Sequence, residues 1–251
     1  MTTKVLWAVT CDQNDLLAHA KRIGAAAVAV RTDNHWLAGS IAAFHGAGIK
    51  VLGWRWPGVK PADDPPNYYA PDQANFVANV LVPADLDGYI ADIESDGPGA
   101  PNRDWNNRSL APMANDFAHV IKTAGRAHNP TFIFGVTSGF DFPTAYPHIP
   151  WDAFLAHCDA VYPQVYWRGD GGAVQAGGTA QSAYARSWVS WKTLELGTTP
   201  IIPIIGQIAH ITPQSMADFK TIMTRNQIGE VHFYSDMGGL AEPTYAMMAQ
   251  I

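Results

Sequence analysis

Residues 87–94 read Asp87-Gly88-Tyr89-Ile90-Ala91-Asp92-Ile93-Glu94. The run from Gly88 to Glu94 has the length and apolar character of a short strand. Successive side chains on a strand alternate, so Ile90, Asp92 and Glu94 share one side, and Tyr89, Ala91 and Ile93 the other. Apolar residues on both sides at the start of the run predict a strand covered on both faces, as in a parallel sheet. The two carboxylates come only at the end, and on the same side. A barrel wall carries such a strand naturally: Ala91 and Ile93 face helices, Ile90 fills the lumen, and Asp92 and Glu94 reach the open mouth.

Working outward, seven further apolar, β-branched runs occupy residues 5–10, 26–31, 50–56, 131–137, 160–167, 200–208 and 230–235. Helix-period segments separate them. Leu16, Leu17, Ala20 and Ile23 form a stripe stopped by Gly24; Ile41, Ala42 and Phe44 precede Gly46 and Gly48. Phe117, Val120, Ile121 and Ala124 repeat at helical spacing up to Gly125 or soon after. Thr212-Pro213 is a cap followed by proline at the first helical position, with Met216, Phe219 and Ile222 as the buried face. Strand then helix, eight times without a linker, predicts one α/β domain over residues 1–251, a single (β/α)8 TIM barrel of parallel strands. Its 251 residues match the roughly 250 such barrels use. A doubly wound open sheet is the rival architecture, and no G-x-G-x-x-G follows the first strand to support it.

Three connections exceed ordinary turns: 57–70, 95–108 and 169–178. All follow strands, so all belong to the C-terminal face, where barrels of this kind keep their chemistry.

Composition excludes several classes of partner. The chain is 47% hydrophobic and 15% charged, the balance of an ordinary globular domain. A net charge of -6 without any Lys/Arg run argues against nucleic acid. No stretch approaches the roughly 20 apolar residues of a membrane span, so no membrane partner is expected. Met1-Thr2-Thr3-Lys4 leads directly into a strand, which predicts no secretory signal peptide; an exported product would need a phage-type or specialised secretion route. Cys11 and Cys158 fall at opposite ends of their strands and are expected to be free, buried thiols. There is no H-E-x-x-H, no Cys/His cluster and no G-x-S-x-G, so the reading implies no metal, no cofactor and no serine triad.

Other strand ends match the fourth. Tyr162, Gln164 and Tyr166 share the face opposite Val161 and Val165 and point inward. Trp54 and Trp56 end the third strand, Gln207 the seventh, Tyr234 and Asp236 the eighth, and Arg31 the second. Of nine tryptophans, Trp36, Trp54, Trp56, Trp105 and Trp167 fall at strand ends or just after them. Indole faces stack on pyranose rings while Gln, Asp and Tyr bind hydroxyls, so a glycan is the expected ligand. Two like carboxylates held together repel, which raises one pKa and makes an acid and a charged partner from the pair.

This pattern resembles the family 25 glycoside hydrolases, the lysozyme-like muramidases. Their acidic residue after strand one, D-x-E on strand four, aromatic and polar groups on strands five to seven and acid on the last strand correspond to Asp12, Asp92-Ile93-Glu94, Tyr162 to Tyr166, and Asp236. The segment from Ala47 to Trp54 is similar to the family's third helix-to-strand passage. The chain departs at Thr10-Cys11-Asp12-Gln13, where the family has D-x-S and a nearby Gln, and at Met237-Gly238-Gly239. The resemblance implies a hydrolase of polysaccharide, peptidoglycan favoured, with Glu94 as proton donor and Asp92 as its stabilising partner. Tyr162, Gln164, Tyr166, Trp167, Gln207, Tyr234, Asp236, Arg31, Asp12, Trp54 and Trp56 are expected to bind substrate. Two alternatives remain open at this stage: a non-catalytic carbohydrate-binding barrel, and a barrel enzyme of another class. The second would commonly use a lysine, yet Lys4, Lys50, Lys122, Lys192 and Lys220 all lie away from strand C-termini. Residues two apart on a strand are about 6.6 Å apart at Cα, and side-chain torsions decide between retention and inversion.

Overall fold

A computed structural model describes residues 2–61, 68–95 and 102–251. Eight parallel strands close a barrel in sequence order: β1 (Thr3–Ala8), β2 (Ala27–Arg31), β3 (Lys50–Arg55), β4 (Gly88–Asp92), β5 (Ile133–Gly139), β6 (Ala160–Tyr166), β7 (Ile204–Gly206) and β8 (Glu230–Asp236). The expected single (β/α)8 barrel is the fold.

The helices on its outside are α1 (Gln13–Ile23), α2 (Leu37–Gly46), α3 (Ala70–Phe76), α4 (Ala111–His128), α5 (Phe142–Ala145), α6 (Trp151–Leu155), α7 (Ala180–Lys192), α8 (Pro213–Asn226) and α9 (Glu242–Ala249). Local chemistry starts and stops them. Asp12 caps α1 by accepting from the Asn14 N–H at 2.8 Å, and Gly24 ends it at φ 66. Thr212 and Ser215 form a reciprocal capping box ahead of α8. α4 runs past Gly125 to His128; Gly125 lies against the Phe132 ring, where a Cβ would stand 2.3 Å from it.

Two apolar clusters result. The outer one lies between strands and helices and includes Leu6, Val28, Ala91, Ile93, Phe134, Val165 and Phe233. The inner one fills the lumen with Val5, Trp7, Ala29, Leu52, Trp54, Ile90, Tyr162 and Ile204. Ile90 inward and Ala91 and Ile93 outward is the alternation expected of β4. The lumen is aromatic and partly polar. Trp7 packs on Trp54 at 5.2 Å and donates its indole N–H to His232 Nδ1 at 2.9 Å, and Tyr162 lies 4.7 Å from the His232 ring. This layer floors the mouth.

Two local departures matter. The run 200–208 pairs as a strand only over Ile204–Gly206: Pro200 and Pro203 have no N–H for a ladder. In β8 the register against β1 jumps, with Leu6 opposite Phe233 but Ala8 opposite Asp236. The extra residue in β8 reverses the alternation after Tyr234, so Asp236 shares the outward direction of Ala8.

Both cysteines are free, and half-buried rather than buried. Burial first, then the Asp236, Asp15 and Asp12 charges, pushes the Cys11 thiol up to about 12; burial raises Cys158 as well. Among the described residues no helix is long and apolar enough to cross a membrane.

Candidate active site

A pocket of about 310 Å³ opens at the C-terminal ends of β4 to β8. Strand alternation aims Asp92 and Glu94 into it from β4, Gln164 and Tyr166 from β6, and Tyr234 from β8; Gln207 follows β7. Asp92 is 6% exposed and accepts a hydrogen bond from Gln164 Nε2 at 2.9 Å. That bond crosses the mouth from β6 to β4 and fixes the carboxylate. Glu94 lies one pleat higher and is more open; its Oε2 is 3.0 Å from Arg103 Nη1, a residue of the connection after β4. The backbone beneath is held on both sides: Ile93 N–H donates to Thr137 O, Ser138 Oγ donates to Ile93 O, and Trp105 N–H donates to Glu94 O.

Tyr166 and Tyr234 stack at 5.5 Å beside the carboxylates. Burial first, then the neighbouring Tyr234, Asp92 and Glu94, drives the Tyr166 phenol well above the ordinary tyrosine range; burial, Asp92 and Asp170 do the same for Tyr234. Both therefore stay protonated and present O–H donors next to two acids. Across the pocket Gln207 donates its side-chain amide to Asp170. Phe140 and Phe142, from the turn after β5, supply apolar wall.

Six expected residues thus meet in one pocket: Asp92, Glu94, Gln164, Tyr166, Gln207 and Tyr234. Trp54 and Tyr162 point inward but sit in the floor, each 1% exposed. Arg31 and Trp56 stand together at the rim, with the Arg31 guanidinium 5.4 Å from the indole centroid. Asp12 lies in a separate hollow with Trp36 and one side of Arg31.

Two expectations are corrected. Asp236 is fully buried behind the wall, because the β8 register jump turns it toward α1 and α9; it bonds His19 Nδ1 at 2.6 Å and the Gly238 N–H at 2.9 Å. Trp167 follows inward Tyr166 and so points outward, packing on Phe219 of α8 at 5.8 Å. Trp105 is likewise buried, its indole N–H on Pro57 O. Asp141, Asp170, Gln175 and Arg103 were not foreseen as site residues. Asp170 and Gln175 lie in the connection 169–178, whose length was the available signal, and Gly139-Phe140-Asp141-Phe142 ends a strand that runs two residues further than its apolar run suggests.

Among the described residues Cys11, His19 and Asp236 form one group whose ligand-type atoms lie within 4.8 Å of one another. The Asp236 oxygens there already accept from protein donors, and the group lies outside the pocket.

No family model matches the chain, and no curated protein does. Solved structures do. A family GH18 chitinase from Cycas revoluta, in complex with allosamidin, superposes at a TM-score of 0.63 with 10% identity over 99% of both chains. The spore cortex-lytic enzyme SleL of Bacillus cereus gives 0.63 at 10% identity, covering 99% of this chain and 74% of that one. An endo-β-1,3-glucanase of the GH128 type from Amycolatopsis mediterranei, in complex with laminaritriose, gives 0.58 at 13% identity over 100% and 99%. At 10% to 13% identity the likeness to these three is one of fold. None of the three is described as a family 25 muramidase, so these structures do not carry the family resemblance read from the motifs.

Proposed function

We propose that the protein is a glycoside hydrolase that cleaves a polysaccharide at the β4 carboxylates. One observation carries the reading: Asp92 and Glu94 leave the same side of β4 into a single pocket, with Asp92 gripped by Gln164. Glycosidic cleavage needs a proton for the departing oxygen and negative charge beside the oxocarbenium-like anomeric centre. Glu94, the more open of the two, is the proton donor. Asp92 stabilises the positive charge directly or orients a substrate group that does so, the substrate-assisted course known among GH18-type barrels. Tyr234 and Tyr166 donate hydrogen bonds to the same ring, and Gln207 and Asp170 hold hydroxyls across the pocket.

The Arg103 guanidinium lies 3.0 Å from the Glu94 carboxylate, on the side the glycan must reach. In this reading the incoming glycan displaces Arg103 and brings the glycosidic oxygen to the Glu94 carboxyl. Chitin, β-glucan and peptidoglycan strands are the substrate classes to try, since the similar barrels are described as chitinases, a β-1,3-glucanase and a spore cortex-lytic enzyme.

The test is release of reducing ends from these insoluble glycans by wild type and Glu94→Gln. A general acid contributes about 10²- to 10⁴-fold, so the variant should lose activity by about that factor while keeping glycan binding. Equal activity in the variant would overturn the assignment of Glu94. Wild type that binds glycan without releasing ends would make the chain a carbohydrate-binding barrel instead.

A further inference from the structure

We infer that the rim beside the pocket is a receptor for a carboxylate-bearing sugar, so that the preferred glycan is acidic; this rests on reading the mouth as a glycan site. The observation is an arrangement of two arginines around one aspartate on an indole. Asp33 follows β2. Its Oδ1 accepts from Arg31 Nε at 2.6 Å, and its Oδ2 lies 2.9 Å from Arg55 Nη1. The two guanidiniums hold the Asp33 carboxyl below its usual range against its own burial. Two cations on one anion leave a positive charge in excess, inside an acidic chain of net charge -6.

The excess charge sits on Arg31. Arg55 is 3% exposed and sealed in, whereas the Arg31 side chain is 19% exposed. Asp33 occupies Nε of Arg31, and the indole of Trp56 lies 5.4 Å beneath its guanidinium carbon. Among the described residues neither terminal Nη of Arg31 makes a hydrogen bond. Its guanidinium is thus fixed in plane by stacking and by one bond, with the two-pronged edge that suits a carboxylate left over.

Position gives this group a partner in the reaction site. Arg31 is close enough to Tyr234 to act on its phenol, and Trp56 packs 6.1 Å from Trp54 at the lumen floor. The other wall of the mouth carries Asp92, Glu94, Asp141 and Asp170. The mouth is therefore polarised, basic at β2–β3 and acidic at β4–β6. A bound glycan with a carboxylate on one ring is oriented by that difference, the acidic ring stacked at Trp56 and the scissile bond over Glu94. A uronic acid and a lactyl ether present the same group, and the test separates them.

Calorimetric titration of the Glu94→Gln protein with matched pairs decides the matter. The pairs are oligogalacturonides and peptide-free peptidoglycan strands, each native and carboxyl-reduced. For at least one pair the native form should bind about tenfold more tightly or better, the worth of one charge-assisted contact; which pair does so identifies the source. Adding Arg31→Gln should bring that pair to parity, and Arg31→Lys, which keeps charge but not the fork, should recover only part of the preference. Equal binding of native and reduced forms, or a preference that survives Arg31→Gln, overturns the inference. If Glu94-dependent cleavage of neutral glycan is then still present, the hydrolase reading stands without it; if no glycan is bound or cut, both fall.

Discussion

The hydrogen bond from Gln164 to Asp92 is the contact on which the site's geometry turns. A carboxylate 6% exposed, one pleat below a second acid, keeps its place only if donors hold it. Gln164→Leu retains the volume and removes the donor. We expect kcat to fall roughly 10- to 100-fold, the worth of one hydrogen bond to a charged group, with KM and thermal stability little changed. A carboxylate that loses an N–H donor is easier to protonate, so the acid limb of the pH–rate profile should move to higher pH. An unchanged profile with a lowered melting temperature would assign Gln164 to structure alone. Asp236 makes the opposite point. Its residue type and strand position suit a ligand-binding role, yet its partners are His19, Gly238 and Tyr245, all outside the barrel lumen.

Strands carry their side chains by parity, and parity explains both the success and the failures along them. On β4 and β6 the alternation is unbroken, so Asp92, Glu94, Gln164 and Tyr166 fall where a two-residue period puts them. On β8 one extra residue inverts it. Close packing sets a further condition on β5. Gly135 faces inward, and a Cβ there would stand 2.4 Å from the Tyr162 ring. Gly135→Ala should therefore destabilise the protein by about 1–3 kcal/mol, the usual cost of overpacking, read as a lower urea midpoint. A variant as stable as wild type would show that Tyr162 moves without cost, and that the floor of the site is softer than its packing indicates.

At the scale of the molecule, the lumen is held by a polar chain inside an apolar barrel. Trp7 donates to His232 Nδ1, so His232 is the neutral tautomer that donates from Nε2 to Glu230 Oε1 at 2.8 Å. Burial depresses the His232 pKa below the usual 6.5, outweighing the Glu230 contact that raises it. The folded protein thus refuses a proton that the unfolded chain accepts. Stability is complete above about pH 6.5 and declines as pH falls from there toward the lowered folded value, by up to about 1.4 kcal/mol per pH unit. Urea unfolding at about pH 7.5 and about pH 5.5 should show this loss in wild type. It should be smaller in His232→Gln, which can accept and donate in the same places. Equal slopes in the two proteins would remove His232 as the cause.

The architecture and the acid pair were legible in the amino-acid order because both follow from local periodicities. Eight apolar runs separated by capped helical segments fit a parallel barrel of this length, and two carboxylates spaced by one residue at a strand's end share a side. Length alone also marked the connection after strand six, which lines the pocket with Asp170 and Gln175, whereas those after strands three and four lie partly outside the described residues. The tertiary structure decided what periodicity cannot carry. A register jump on β8 is a relation between two strands far apart in sequence, and it removed Asp236 from the mouth. Depth along the barrel axis separated the floor residues Trp54 and Tyr162 from the pocket residues above them. Arg31, Asp33 and Arg55 became one charged group only when β2 and β3 lay side by side. Such contacts depend on distance in space, and no spacing along the chain encodes them.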